Sequence, residues 1–133
     1  MAEPRKIMQT EFGKNGNCQS ACLAMMLGLE LSDVPNFSAL DCDDNGKYKA
    51  QGDWLRERGL CIVTIVKWQA LPWPIRYGFY IAGGVSPRGF RHSVIYKDGE
   101  LWHDPYPEGG GIEDVQDIDL ILPTDFRPLI QTR

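Results

Sequence analysis

Histidine is scarce in this sequence: His92 and His103 are the only two in 133 residues. Metal binding through imidazole and acid–base chemistry near neutral pH must draw on these two rings. Cysteine is sparse as well. Cys18, Cys22, Cys42 and Cys61 are spread along a chain too long to depend on a disulfide framework. They read as free thiols of a reducing, cytoplasmic compartment. Positive charge is in deficit, with 14 Lys and Arg against 18 Asp and Glu, a net charge of −4. Nucleic acid and anionic membranes both attract basic surfaces, so neither is an expected partner. No apolar run approaches the roughly 20 residues that cross a bilayer. The charged start, Met1 to Lys6, has no apolar stretch behind it and does not read as a secretory signal.

What is present is ordinary globular material. Apolar residues make up 43% and charged residues 24%, with no repeat and no low-complexity tract. One domain over residues 1–133 is expected, able to bury about two-thirds of its unfolded surface.

Residues 1–16 are polar and read as extended. Asn17 has the side chain of an N-cap, and Ala21 to Leu27 follow without a polar break until Gly28. A helix apolar on nearly every face is surrounded by protein, which puts 18–27 at the centre of the fold. Ser32 to Pro35 suggest a short capped turn of helix. Residues 41–46 are an acidic loop. A second helix is expected over 47–58, with Tyr48, Gln51 and Leu55 on one stripe, Trp54 beside them and Gly59 as its stop. Leu60 to Val66 read as a buried strand. Pro72 and Pro74 favour an extended connection over 69–76. Further strands are expected over 77–82, 90–96, 100–103 and 119–122. Helices followed by antiparallel strands give an α+β fold, a central N-terminal helix packed on an antiparallel β-sheet.

Cys18 opens the buried helix. Unpaired backbone N–H groups and the positive end of the helix dipole favour a thiolate there. Gly16 lets the chain turn sharply just before it. Cys18 is thus a candidate nucleophile; the alternative is a small buried residue. Cys22, one turn later, suits core packing. Zinc held by Cys18, Cys22 and the two histidines is arithmetically possible, but two cysteines on an apolar helix are not the usual zinc knuckle.

A nucleophilic cysteine needs a base. His92 and His103 lie on two strands joined by Lys97-Asp98-Gly99, so the hairpin register decides which of them faces an acid. A two-residue loop pairs Lys97 with Glu100 and sets Asp104 on the side opposite His92. A three-residue loop with Gly99 in a bulge pairs Tyr96 with Glu100 and sets His92 opposite Asp104. The second register is favoured because it assembles Cys18, His92 and Asp104, with Asp104 fixing the tautomer of the imidazole.

Gly16-Asn17-Cys18-Gln19-Ser20-Ala21-Cys22 opening a buried helix, His92 in a strand and Asp104-Pro105 ending the next together resemble papain-like cysteine peptidases. The likeness is nearest to small bacteriocin-processing peptidase domains and to small papain-like proteins of bacterial and bacteriophage genomes, and it spans residues 9–107 in outline. It implies Cys18 as nucleophile, His92 as general base and Asp104 as the orienting acid. It also implies an upstream glutamine whose amide joins the Cys18 backbone N–H in an oxyanion hole. Gln9 is the candidate, although nine residues before Cys18 is longer than the usual spacing, so the loop 13–16 would have to fold back. The implied activity is hydrolysis of peptide or amide bonds in a peptide or protein substrate, with no metal or organic cofactor. Deamidation, acyl transfer, or a non-catalytic phage-type protein binding a host factor are alternatives.

Asn17, Arg88 and Tyr106 are candidate substrate contacts, with Arg88 suited to a carboxylate; ordinary turn roles are the alternative. Asp41-x-Asp43-x-Asn45-Gly46 matches the start of a calcium loop, but Gly52 stands where the closing Glu belongs. An acidic loop capping the next helix is the preferred reading. Trp54 and Trp102 suit the core, and Trp68 and Trp73 suggest a binding surface.

Overall fold

The structure, a computed structural model, describes residues 3–70 and 77–126. Two helices, α1 (Cys18–Leu27) and α2 (Asp44–Arg56), precede five strands: β1 (Leu60–Val66), β2 (Phe79–Val85), β3 (Arg91–Lys97), β4 (Glu100–His103) and β5 (Asp117–Pro123). The strands form one antiparallel sheet in the order β1-β5-β2-β3-β4. The class is α+β, and α1 spans 18–27 as its composition requires. Its residues Ser20 to Met25 are all buried, and Gly28 ends it in the left-handed conformation at φ 69°.

α1 packs on β2 and β3, and α2 packs on β1. Cys22, Leu23 and Met25 of α1 meet Leu55 of α2 and Ile81 and Ile95 of the sheet in one core. A second core, on Tyr80, Ala82, Val94 and Ile118, is closed by Trp68 and Val115. The alternation of strand side chains accounts for both: Ile81 and Ile95 serve one core, their neighbours Ala82 and Val94 the other.

Several expectations are corrected. α2 begins at Asp44, not 47, because Asp43 accepts from the Gly46 N–H at 2.8 Å and caps it. The same geometry disposes of a calcium loop, since residues from Asp44 onward are helical. Tyr48 is exposed while Gln51 and Leu55 are buried. The turn expected over 32–35 is a 3-10 turn at Leu31–Asp33, capped by Glu30. Trp68 is 8% exposed and fills the second core, so it forms no binding surface. Trp73, Pro72 and Pro74 lie outside the described residues.

The hairpin register also departs from expectation. Lys97 pairs with Glu100, which makes Asp98-Gly99 the two-residue loop, with both residues at positive φ (52° and 88°). Ile95 then pairs with His103 instead of Trp102, so one extra residue bulges out of β4. That residue reverses the side-chain parity which the short loop alone would impose. Asp104 is thereby returned to the side of His92, and His103 points away, its Nε2 donating to the Ile7 carbonyl at 2.8 Å.

Leu23 is fully buried and Val66 is 66% exposed. Leu23→Ala should lower unfolding free energy by about 3 kcal/mol, and Val66→Ala by about 0.5 kcal/mol or less, measured by urea titration.

Candidate active site

β4 pairs with residues 95–97 of β3 and no further. Beyond that point β3 has an open edge, and the start of α1 meets it there. The Cys18 thiol lies beside His92 and Ser93, near enough for the imidazole and the Ser93 backbone N–H to act on it. On the other side of the imidazole, His92 Nε2 donates to Asp104 Oδ1 at 2.6 Å. That leaves Nδ1 as the ring nitrogen for the sulfur. Both His92 and Asp104 are buried.

Asp104 is held by more than the ring. The Tyr106 N–H donates to Oδ1 and the Gly111 N–H to Oδ2, each at 2.8 Å. Gly109, Gly110 and Gly111 all have positive φ (69°, 98° and 63°), which lets the chain double back to present that last N–H. The glycine run thus serves the carboxylate.

The electrostatics follow from this packing. Burial alone would raise the Cys18 thiol, but the hydrogen bond and charge of His92, aided by Ser93, outweigh it and hold the thiol below its ordinary 9.0. For His92, burial opposes the charge, yet Asp104 and Cys18 raise it to about 9. Asp104 sits below its ordinary value because His92 and two backbone N–H groups overcome its desolvation. Both shifts favour the thiolate–imidazolium form of the pair. Cys22, fully buried, is pushed well above the ordinary thiol range by its desolvation and by the neighbouring Cys18.

Asn17 corrects the sequence reading twice. It occupies the N-cap position, but its side chain makes no capping bond. Its Oδ1 instead accepts from the N–H groups of Thr10 (3.0 Å) and Glu11 (2.9 Å), and its Nδ2 donates to Thr10 Oγ1. With these bonds made inside the protein, Asn17 positions the N-terminal segment and is not among the residues lining the cleft at Cys18. The first N–H groups of α1 are left uncapped beside Cys18.

The same clamp brings Gln9 to the site. The chain folds back through a 3-10 turn at Gly13–Asn15, and Gln9 N–H donates to the Pro105 carbonyl at 2.9 Å. Gly16 is obligatory in this return, because a Cβ there would lie 2.8 Å from the Glu11 carbonyl oxygen. Gln9 Nε2 donates to that same oxygen at 2.9 Å, while Oε1 is buried without a partner. Its second amide N–H remains to donate toward an oxyanion.

Cys18 and His92 line a cleft of about 230 Å³ together with Gln9, Phe12, Arg88, Phe90 and Tyr106. Tyr106 stands edge-on to both His92 and Phe12, and Arg88 lies 3.4 Å over its ring. Sequence reasoning missed Phe12, Phe90 and Ser93. Ser93 had one usable signal, its place beside His92 in the strand. No group of three or more His, Cys, Asp or Glu placed to hold a metal ion occurs among the described residues. No helix among them is long and apolar enough to cross a membrane. Comparison with protein-family models, curated proteins and solved structures finds no match.

Alkylation by iodoacetamide, followed by peptide mapping across pH, tests the ion pair. Cys18 should react with a midpoint below 9.0 and faster than exposed Cys42 near neutrality. His92→Ala should move that midpoint upward, since burial then acts with less opposition. Asn17→Ala should cost about 1–2 kcal/mol and speed hydrogen exchange at Thr10 and Glu11, whose N–H groups it releases.

Proposed function

We propose that this chain is a thiol-dependent hydrolase of peptide or amide bonds, with a papain-like arrangement of helix and sheet. One observation carries the reading: a buried imidazole lies between a cysteine at a helix start and a carboxylate held by backbone N–H groups, and cysteine and imidazole both line a cleft.

In this reading the Cys18 thiolate attacks a carbonyl carbon, forming a C–S bond as the carbonyl π pair moves to oxygen. The Cys18 backbone N–H and the free N–H of Gln9 receive that oxyanion. The oxyanion collapses, the C–N bond breaks and protonated His92 gives its proton to the departing amine. Neutral His92 then takes a proton from water, which attacks the thioester. Breaking the C–S bond releases the acid and restores the thiolate–imidazolium pair. Asp104 keeps Nε2 protonated and Nδ1 directed at sulfur throughout. No step requires a metal or an organic cofactor. Four free thiols suit a reducing compartment such as the cytoplasm. Deamidation and acyl transfer share the thioester and differ only in the bond cleaved or the acceptor.

The test is incubation of a complex peptide mixture with the protein, with and without an added primary amine, read by mass spectrometry. Cys18-dependent cleavage supports hydrolysis, a one-dalton gain on glutamine supports deamidation, and amine incorporation supports transfer. Cys18→Ala should abolish the product, and Asp104→Asn should slow it by about 10²–10⁴-fold. Identical spectra from wild type and Cys18→Ala would overturn the enzyme reading in favour of a binding scaffold.

A further inference from the structure

The charge of the cleft is opposite to that of the chain. Acidic residues outnumber basic ones 18 to 14, yet no acidic side chain is among those lining the cleft in the described residues. Two arginines are. Arg91 is already neutralised, its NH2 group donating to Asp117 and its NH1 group to Gln116, both at 2.7 Å. Arg88 has no anionic partner among the described residues.

Arg88 is also prepared to bind. It sits in the turn between β2 and β3, which is closed by Ser86 N–H to the Phe90 carbonyl (2.8 Å) and Gly89 N–H to the Ser86 carbonyl (2.9 Å). Its guanidinium lies 3.4 Å over the Tyr106 ring. Stacking uses the face of a guanidinium and leaves its in-plane N–H fork unspent, the geometry that grips a carboxylate. Tyr106 in turn abuts His92. An unspent cationic fork therefore stands one ring away from the imidazole, in a cleft also lined by the exposed aromatics Phe12 and Phe90.

We propose that Arg88, stacked on Tyr106, forms a carboxylate subsite that selects substrates carrying an acidic group beside the bond attacked by Cys18. The inference rests on Cys18 being the nucleophile. The carboxylate has two possible sources, an Asp or Glu side chain and a free peptide C-terminus, and the chemistry of recognition is shared.

Iodoacetate and iodoacetamide test the subsite without a substrate, since they alkylate the same sulfur and differ by a carboxylate for an amide. The rate ratio of iodoacetate to iodoacetamide at Cys18 should fall about fivefold in Arg88→Gln and further in Arg88→Glu. Arg88→Lys, a charge without the fork, should retain part of it, and the difference should shrink in about 1 M salt. A ratio unchanged in Arg88→Gln and Arg88→Glu, with Cys18 still outpacing Cys42 toward iodoacetamide, overturns the subsite and leaves the nucleophile standing. Cys18 no faster than Cys42 overturns both. With peptides, preference for Glu over Gln beside the converted bond assigns the side chain as source. Preference for a free over an amidated terminus assigns the α-carboxylate. Conversion indifferent to both overturns the proposal.

Discussion

The contact between His92 and Asp104 constrains everything around it. Two ionised groups taken out of water lose hydration worth several kcal/mol each, and only close geometry with further hydrogen bonds makes that loss tolerable. Here the separation is 2.6 Å, and the remaining carboxylate lone pairs accept from Tyr106 and Gly111. The requirement propagates along the chain. The β4 bulge sets the side on which Asp104 emerges, and three left-handed glycines bring Gly111 back to it. The pair also ties stability to pH. His92 is raised to about 9, so its contribution is full below its ordinary 6.5 and is lost as pH climbs through about 9. Asp104 is lowered, so its contribution is full above 3.8 and is lost as pH falls through its depressed value. Both are complete only in the mildly acidic range between.

The two helix starts divide two tasks. α2 begins conventionally, with Asp43 capping and Asp44 in the first turn. α1 has no capping bond and no acid in its first turn. Its cap residue instead fastens residues 10 and 11, and Asn36 braces the same strand of chain by donating to the Glu11 carboxylate and the Asn15 carbonyl. Withholding a cap costs helix stability of about 1 kcal/mol. It leaves bare N–H groups and an unneutralised dipole beside the Cys18 sulfur, where both favour a thiolate.

The elements were largely legible in the sequence, because each follows from local rules. Unbroken apolar residues to Gly28 mark α1, β-branched residues mark β1, and β4 lies at 100–103 as its pattern indicates. Cys18 and His92 each stood out by residue type and position. Their relation to Asp104 did not, since the bulged residue, Trp102, carries no mark of it and bulges answer to tertiary packing. The favoured loop was wrong, and the side it set for Asp104 was right for a different reason. Asn17 was misread because a cap residue and a loop clamp share one side-chain chemistry. Trp68 was misread because its sequence neighbours, Lys67 and Gln69, give no sign of the core beneath it.

Behind the cleft, the orientation of the site depends on one amide. Gln19 Nε2 donates to Gln51 Oε1 at 3.2 Å and to Asp119 Oδ2 at 3.1 Å, and Asp119 also accepts from Thr64. Both partners of that nitrogen are acceptors, so the amide has a single admissible orientation. Its oxygen must face Ser93, whose hydroxyl donates to it at 2.6 Å. Ser93 is fixed in turn, with its backbone N–H toward Cys18 on the open edge of β3. A polar chain thus runs from β1 through β5 and α1 toward the sulfur, and it accounts for Gln19 where α1 is otherwise apolar; Ser20, the other polar residue, donates to the Pro35 carbonyl. Burial raises the carboxyl of Asp119 above its ordinary value even with these donors present. This side of the site is therefore held by groups whose hydrogen bonds are directional, while Arg88, Phe12 and Phe90 line the cleft.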